Sequence, residues 1–308
     1  MDNSIRPPEQ RLYNKLPRRP KVALTVWNAV WPPALYSVIQ IVVSLVGSIL
    51  LSISSALSND GINPDEIDAL LTDAINQWSM PFMAISMIMA LSVFIPFYIR
   101  FRRDQEKRTS LTELGFGNAS LILLLAISSY ISISMILLFL PQDFGNYAEH
   151  MQGLTSGSFV WQLLVVGFGA PIIEELCLRG LTLNRLLKIM SPVPAILIQA
   201  SIFGIMHFNI VQSSYAFLLG LPLGWLCCRT RSLWPSFLLH LFINAGSVLL
   251  GEFVGTGGDV AAEPVEDLYA SVIIILLFSL ACVAALIYGL NKTLPGRKTV
   301  EIESPAQY

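Results

Sequence analysis

An all-α, polytopic membrane bundle of about eight transmembrane helices, with both termini on the cytoplasmic side, is the fold this sequence predicts. Three observations predict it. Hydrophobic residues make up 54% of the 308 positions and charged residues only 13%, and the mean hydropathy is +0.63, a balance foreign to an ordinary soluble globule. Uncharged apolar runs recur at residues 33–57, 79–99, 119–140 and 270–290, each near or above the roughly 20 residues a spanning helix needs. Four more, at about 158–178, 192–209, 212–228 and 233–251, qualify once isolated polar residues are tolerated.

The third observation is charge segregation. The 19 Lys and Arg residues fall in the N-terminal arm (from Arg6 to Lys21), in the second connection (Arg100, Arg102, Arg103, Lys107, Arg108), in the fourth (Arg179, Arg185, Lys188), in the sixth (Arg229, Arg231) and in the tail (Lys292, Arg297, Lys298). Basic residues near span ends stay on the cytoplasmic side. The alternate connections carry acids instead, among them Asp60, Asp65, Asp143, Glu149, Glu252 and Asp259. A miscounted span would scramble this pattern. The formal net charge of -2 hides the asymmetry, and the basic face is expected against anionic lipid headgroups.

Four regions follow: a basic, Pro-rich cytoplasmic arm at 1–32, an N-terminal transmembrane region at 33–157, a polar-bearing core at 158–251, and an outer loop, last helix and cytoplasmic tail at 252–308. Pro7, Pro8, Pro17, Pro20, Pro32 and Pro33 make the arm irregular or interfacial. The arm is too basic for the apolar core of a cleavable signal, so the first span itself directs insertion. Trp27 and Trp31 fit an interfacial aromatic belt. Residues 64–71 read as a short surface helix in the first outer loop, with acids in its first turn. Met80, Met83, Met87 and Met89 in the second span read either as a cavity wall or as ordinary packing. His150 reads as a solvated loop residue, and the glycine-bearing loop at 252–268 as mobile. Cys177, Cys227, Cys228 and Cys282 lie in or at the ends of apolar runs, where disulfides are not expected and no zinc spacing exists.

The core carries the chemistry. Glu174-Glu175-Leu176-Cys177-Leu178-Arg179, Phe203-Gly204-Ile205-Met206-His207 and His240-Leu241-Phe242-Ile243-Asn244 place ionisable groups inside apolar runs. A charge at a bilayer centre costs at least about 2.5–3.5 kcal/mol, so such groups face a cavity or a partner. Gly167, Gly169 and Pro171 precede the paired acids, and a proline there predicts a kink or local widening. Adjacent helical residues point about 100° apart, so Glu174 and Glu175 need different roles. Glu175 and Arg179 are spaced i,i+4 with the acid first, the favourable order for an ion pair. Glu174 has no such partner and is the better catalytic candidate. His207 shares a helix face with Phe203, and His240 shares one with Asn244. Counted from Pro192, His207 lies about 22 Å along its helix at 1.5 Å per residue, deep relative to Glu174.

These three motifs, in this order on three helices, resemble those of the CPBP family of intramembrane proteases, which includes the CAAX prenyl endopeptidase Rce1 and the bacterial Abi-type proteins. The resemblance covers about residues 160–251. It implies Glu174 as the catalytic glutamate, His207 as its partner, and His240 with Asn244 as the oxyanion-binding groups; Glu175, Arg179 and Phe203 are supporting residues. The implied substrate is a membrane-associated peptide or protein, including one lipidated at its C-terminus, and the implied setting is a prokaryotic cell membrane.

Read as chemistry, a glutamate in a water-limited hollow can take a proton from a water attacking a peptide carbonyl, and His240 and Asn244 can donate to the resulting oxyanion. No cofactor is needed. Glu174, His207 and His240 could instead hold a divalent metal, although His-Glu-x-x-His is missing, since Phe208 and Leu241 follow the histidines. A non-catalytic immunity or partner-binding protein is the alternative, and a proton-relay transporter a third reading, disfavoured because no inverted repeat is visible. The hollow is expected to open from the inner face. The bilayer and a peptide substrate are the expected partners, with no nucleic acid, and no sequence pattern sets an oligomeric state.

Overall fold

A computed structural model describes residues 22–58, 64–102, 111–139, 157–254 and 266–294. His150, the arm before residue 22, the glycines at 255–258 and the tail after 294 lie outside the described residues. Among those described, the chain forms helices and no strands. The helices are α1 (Val22–Ser58), α2 (Pro64–Arg102), α3 (Leu111–Leu137), α4 (Phe159–Leu186), α5 (Pro192–Ile205), α6 (Ile210–Thr230), α7 (Trp234–Val254) and α8 (Glu266–Thr293). Seven are long and apolar enough to cross a membrane. The exception is α5, whose 14 residues rise only about 21 Å, short of a roughly 30 Å hydrocarbon core.

Three expected boundaries move. The first helix starts at Val22, with Pro32 and Pro33 inside it, so residues 22–32 are helix and not irregular arm. A proline at position i denies a hydrogen bond to the carbonyl at i−4, which for Pro33 is Ala29. Thr182 of α4 supplies the missing donor, its hydroxyl bonding the buried Ala29 carbonyl at 2.7 Å. The surface helix expected at 64–71 is continuous with the second span, since α2 runs unbroken to Arg102. The third helix begins at Leu111, broken only at Gly115, whose φ of 71° and ψ of 155° leave the helical region; glycine tolerates that geometry without a Cβ clash.

Helix α4 lies between two buried clusters. On one side, Ile173 and Cys177 pack with Tyr36 of α1 and with Met80, Met87 and Phe94 of α2. On the other, Leu178 packs with Phe203 and with apolar residues of α3, α6, α7 and α8. Outer pairs brace this arrangement: the Ser132 hydroxyl donates to Ser279 at 2.8 Å between α3 and α8, and Arg229 grips Asn291 at the end of α8. Helices α5 and α6 form a tight antiparallel hairpin through small residues. A Cβ on Gly220 would meet Ala200 at 2.8 Å, and one on Gly204 would come within 2.6 Å of the Ser213 carbonyl oxygen. Such backbone proximity is how helices associate where lipid removes the hydrophobic drive.

Two stability outcomes follow. Thr182→Val strands the Ala29 carbonyl and is expected to cost about 1–3 kcal/mol in detergent unfolding. In a Pro33→Ala background, which restores the backbone donor, the same change should cost about 1 kcal/mol less; equal costs in both backgrounds would refute the compensation. Gly204→Ala is expected to lose about 1–3 kcal/mol through the clash with backbone. Gly246→Ala, with open space around it, should lower the unfolding temperature little or not at all.

Candidate active site

The helix that carries the paired acids is wider than an α-helix on both sides of them. Leu163–Gly169 and Glu175–Leu183 are π-helical, separated by one α-helical turn, Ala170–Glu174. This is the widening that Pro171 suggests. The N–H of Ala170 reaches back five residues to the Val165 carbonyl. Continued by one residue, that register would have position 171 bond Val166, and proline has no N–H. The amide of Asn244 takes the place, its Nδ2 donating to the Val166 carbonyl at 3.1 Å. Because a carbonyl can only accept, this contact also sets which end of the Asn244 amide carries the hydrogens.

Glu175 is 2% exposed and Arg179 fully buried. The expected ion pair forms: Arg179 Nη1 donates to Glu175 Oε1 at 2.8 Å. The same oxygen lies 2.9 Å from His240 Nδ1, and the Ser236 hydroxyl donates to Oε2. A carboxylate buried in lipid-facing protein is tolerable only with such satisfaction. Because an ionised carboxylate cannot donate, Nδ1 of His240 must carry a proton, which leaves Nε2 to face the other acid. That acid is Glu174, with Oε2 at 3.5 Å from His240 Nε2 and an exposure of 13%. His240 therefore bridges the two glutamates, one buried and one open to a cavity.

His207 sits differently from expectation. Helix α5 ends at Ile205, so His207 lies in the turn before α6 and not on the helix face of Phe203. Its Nδ1 is 2.8 Å from the Phe203 carbonyl. The Phe203 ring spaces the histidines: edge contacts join it to His207 at 5.1 Å and to His240 at 5.6 Å, and the Arg179 guanidinium lies 4.8 Å over its face.

Glu174, Phe203, His207, His240 and Asn244 all line one cavity of about 1000 Å³. Its lining continues along α7 to Glu252 and along α4 to Gln162, the helix ends that the charge pattern assigns to the outside. The hollow expected to open from the inner face thus extends the other way. Of the second-span methionines, Met83 lines it, Met80 and Met87 are buried, and Met89 is 47% exposed. Among the described residues, no three His, Cys, Asp or Glu side chains gather as a metal-holding group: Glu174 and His240 approach to 3.5 Å, and His207 does not complete a triad with them. Sequence reasoning missed Ser236, although its place four residues before His240 on α7 is a readable signal. It also missed Tyr36, for which α1 carries no motif.

No curated protein and no solved structure matches the chain. One family model does, over residues 156–246: type II CAAX prenyl endopeptidase Rce1-like. The matched segment holds Glu174, Glu175, Arg179, Phe203, His207, Ser236, His240 and Asn244, and over it this core of the membrane bundle is similar to that family.

Proposed function

We propose that this protein is an intramembrane endopeptidase that hydrolyses a peptide bond of a membrane-associated substrate, with Glu174 activating the attacking water. The observation that carries the reading is His240, bridged between buried Glu175 and cavity-facing Glu174. Two acids and one permanent cation, Arg179, meet here. With a proton on His240 Nε2 as well as on Nδ1, Glu174 would be a free base and His240 Nε2–H a donor at the same time.

Glu174 takes a proton from water as its oxygen bonds the scissile carbonyl carbon. His240 Nε2–H and the second N–H of Asn244 stabilise the oxyanion. The C–N bond then breaks as Glu174 returns the proton to the leaving nitrogen. His207, at the cavity wall, assists Glu174 in placing the water. Phe203 holds the histidines apart, while Glu175, Arg179 and Ser236 orient His240. No covalent intermediate is required, and no cofactor. The Rce1-like match supports a CAAX-type substrate, one cleaved near a lipidated C-terminus, and the charge pattern supports both termini on the cytoplasmic side.

In detergent, wild type is expected to cleave a membrane-peptide library and Glu174→Ala to lose at least about 10²–10⁴-fold of that rate; identical product sets would leave a non-catalytic peptide-binding protein. A chelator should leave the rate unchanged, whereas a metal mechanism would collapse. Ser236→Ala withdraws one of three donors from Glu175 and is expected to cost about 1–3 kcal/mol of stability, with a smaller loss of activity than Glu174→Ala. A reporter enzyme fused after Tyr308 that works only outside the cell would overturn the orientation.

A further inference from the structure

Three buried side-chain polar atoms among the described residues have no hydrogen-bond partner: Arg179 Nε, Gln199 Oε1 and the Tyr36 hydroxyl. Only Tyr36 lies on the cavity that holds Glu174 and His240. The side chain is 1% exposed, buried in one apolar cluster with Ala170, Ile173 and Cys177 around Glu174 on α4, and its hydroxyl is within charge-interaction range of Glu174. A buried hydroxyl with no partner costs about 1–3 kcal/mol relative to one that is bonded, and such groups in folded proteins are few and call for a reason. A phenol held by its ring, with an unused O–H at a hollow where a carbonyl must dock, has one: it awaits an acceptor that arrives with the substrate.

Resting on the hydrolase reading above, we propose that Tyr36 is a further hydrogen-bond donor of the site, supplied by α1 from outside the Rce1-like segment, and that its O–H bonds the substrate carbonyl oxygen as it becomes an oxyanion. The donor set then has three members from two helices, His240 and Asn244 on α7 and Tyr36 on α1. This ties α1, otherwise a peripheral helix, to the chemistry. The acceptor is a carbonyl or tetrahedral oxygen of a peptide, since Glu174, the nearest acid, must remain free to take the proton of water.

The test compares wild type with Tyr36→Phe, which removes one oxygen and keeps the ring. Unfolding temperature in detergent should hold or rise, because an unsatisfied hydroxyl is lost. For a peptide that wild type cleaves, kcat should fall about 10–100-fold with KM within about threefold, the pattern of a donor used in the transition state. Affinity for a phosphinate peptide, whose tetrahedral oxygens imitate the oxyanion, should fall about tenfold. Unchanged kcat in Tyr36→Phe, alongside a wild type that depends on Glu174, overturns the role of Tyr36 and leaves the hydrolase standing. A wild type that cleaves nothing removes the hydrolase reading, and the phosphinate measurement still decides: equal affinity, or no binding by wild type, overturns the proposal. A variant that unfolds earlier with kcat intact shows packing alone.

Discussion

A carboxylate deep in a membrane bundle must be matched group for group, and Glu175 is the one on which the others depend. Its two oxygens collect a guanidinium from its own helix, an imidazole from α7 and a hydroxyl one turn before that imidazole. Removing any partner would leave uncompensated charge in a low dielectric, a penalty far above that of a surface contact. The same bonds determine which nitrogen of His240 is protonated, and so what Glu174 meets. Glu175, held by all three partners, therefore acts as the fixed point of the site, while its neighbour Glu174 faces the cavity.

Backbone carbonyls follow the same logic. Pro33 and Pro171 each leave one without its usual donor, and each is served by a side chain of a neighbouring helix, Thr182 and Asn244. Membrane helices tolerate proline where neighbours restore the lost bond. Asn244 thus holds the distorted turn ahead of Glu174 with one hydrogen and offers the cavity its other. The π-helical stretches on either side allow α4 to turn Glu174 into the hollow while Glu175 faces α7.

Much of this was legible because membrane insertion leaves coarse marks: apolar runs gave the eight helices, and i,i+4 spacing gave the Glu175–Arg179 pair. The paired acids, the two core histidines and Asn244 stood out against lipid-compatible surroundings, and all of them but the buried Glu175 line one cavity. What was illegible depends on contacts between distant segments. Nothing near Tyr36 in sequence marks it, and the one mark of Ser236, its spacing from His240, is weak because a hydroxyl in a membrane helix commonly bonds its own backbone, as Ser52 does with Ser48. The start of α1 was misread because Pro32 and Pro33 signal a break unless Thr182, about 150 residues away, is known to compensate. The contact of His240 with both glutamates was hidden for the same reason: spacing orders residues within one helix and is silent about the rotation of another.

The hydrolysis proposed for this site would consume water, a molecule that lipid excludes. The 14 residues of α5 bear on that supply. Lipid beside a helix this short thins to meet it or admits solvent over its end. In the proposed hydrolysis, water admitted in that way would arrive beside the turn that bears His207 and the exposed ring of Phe208 (71%).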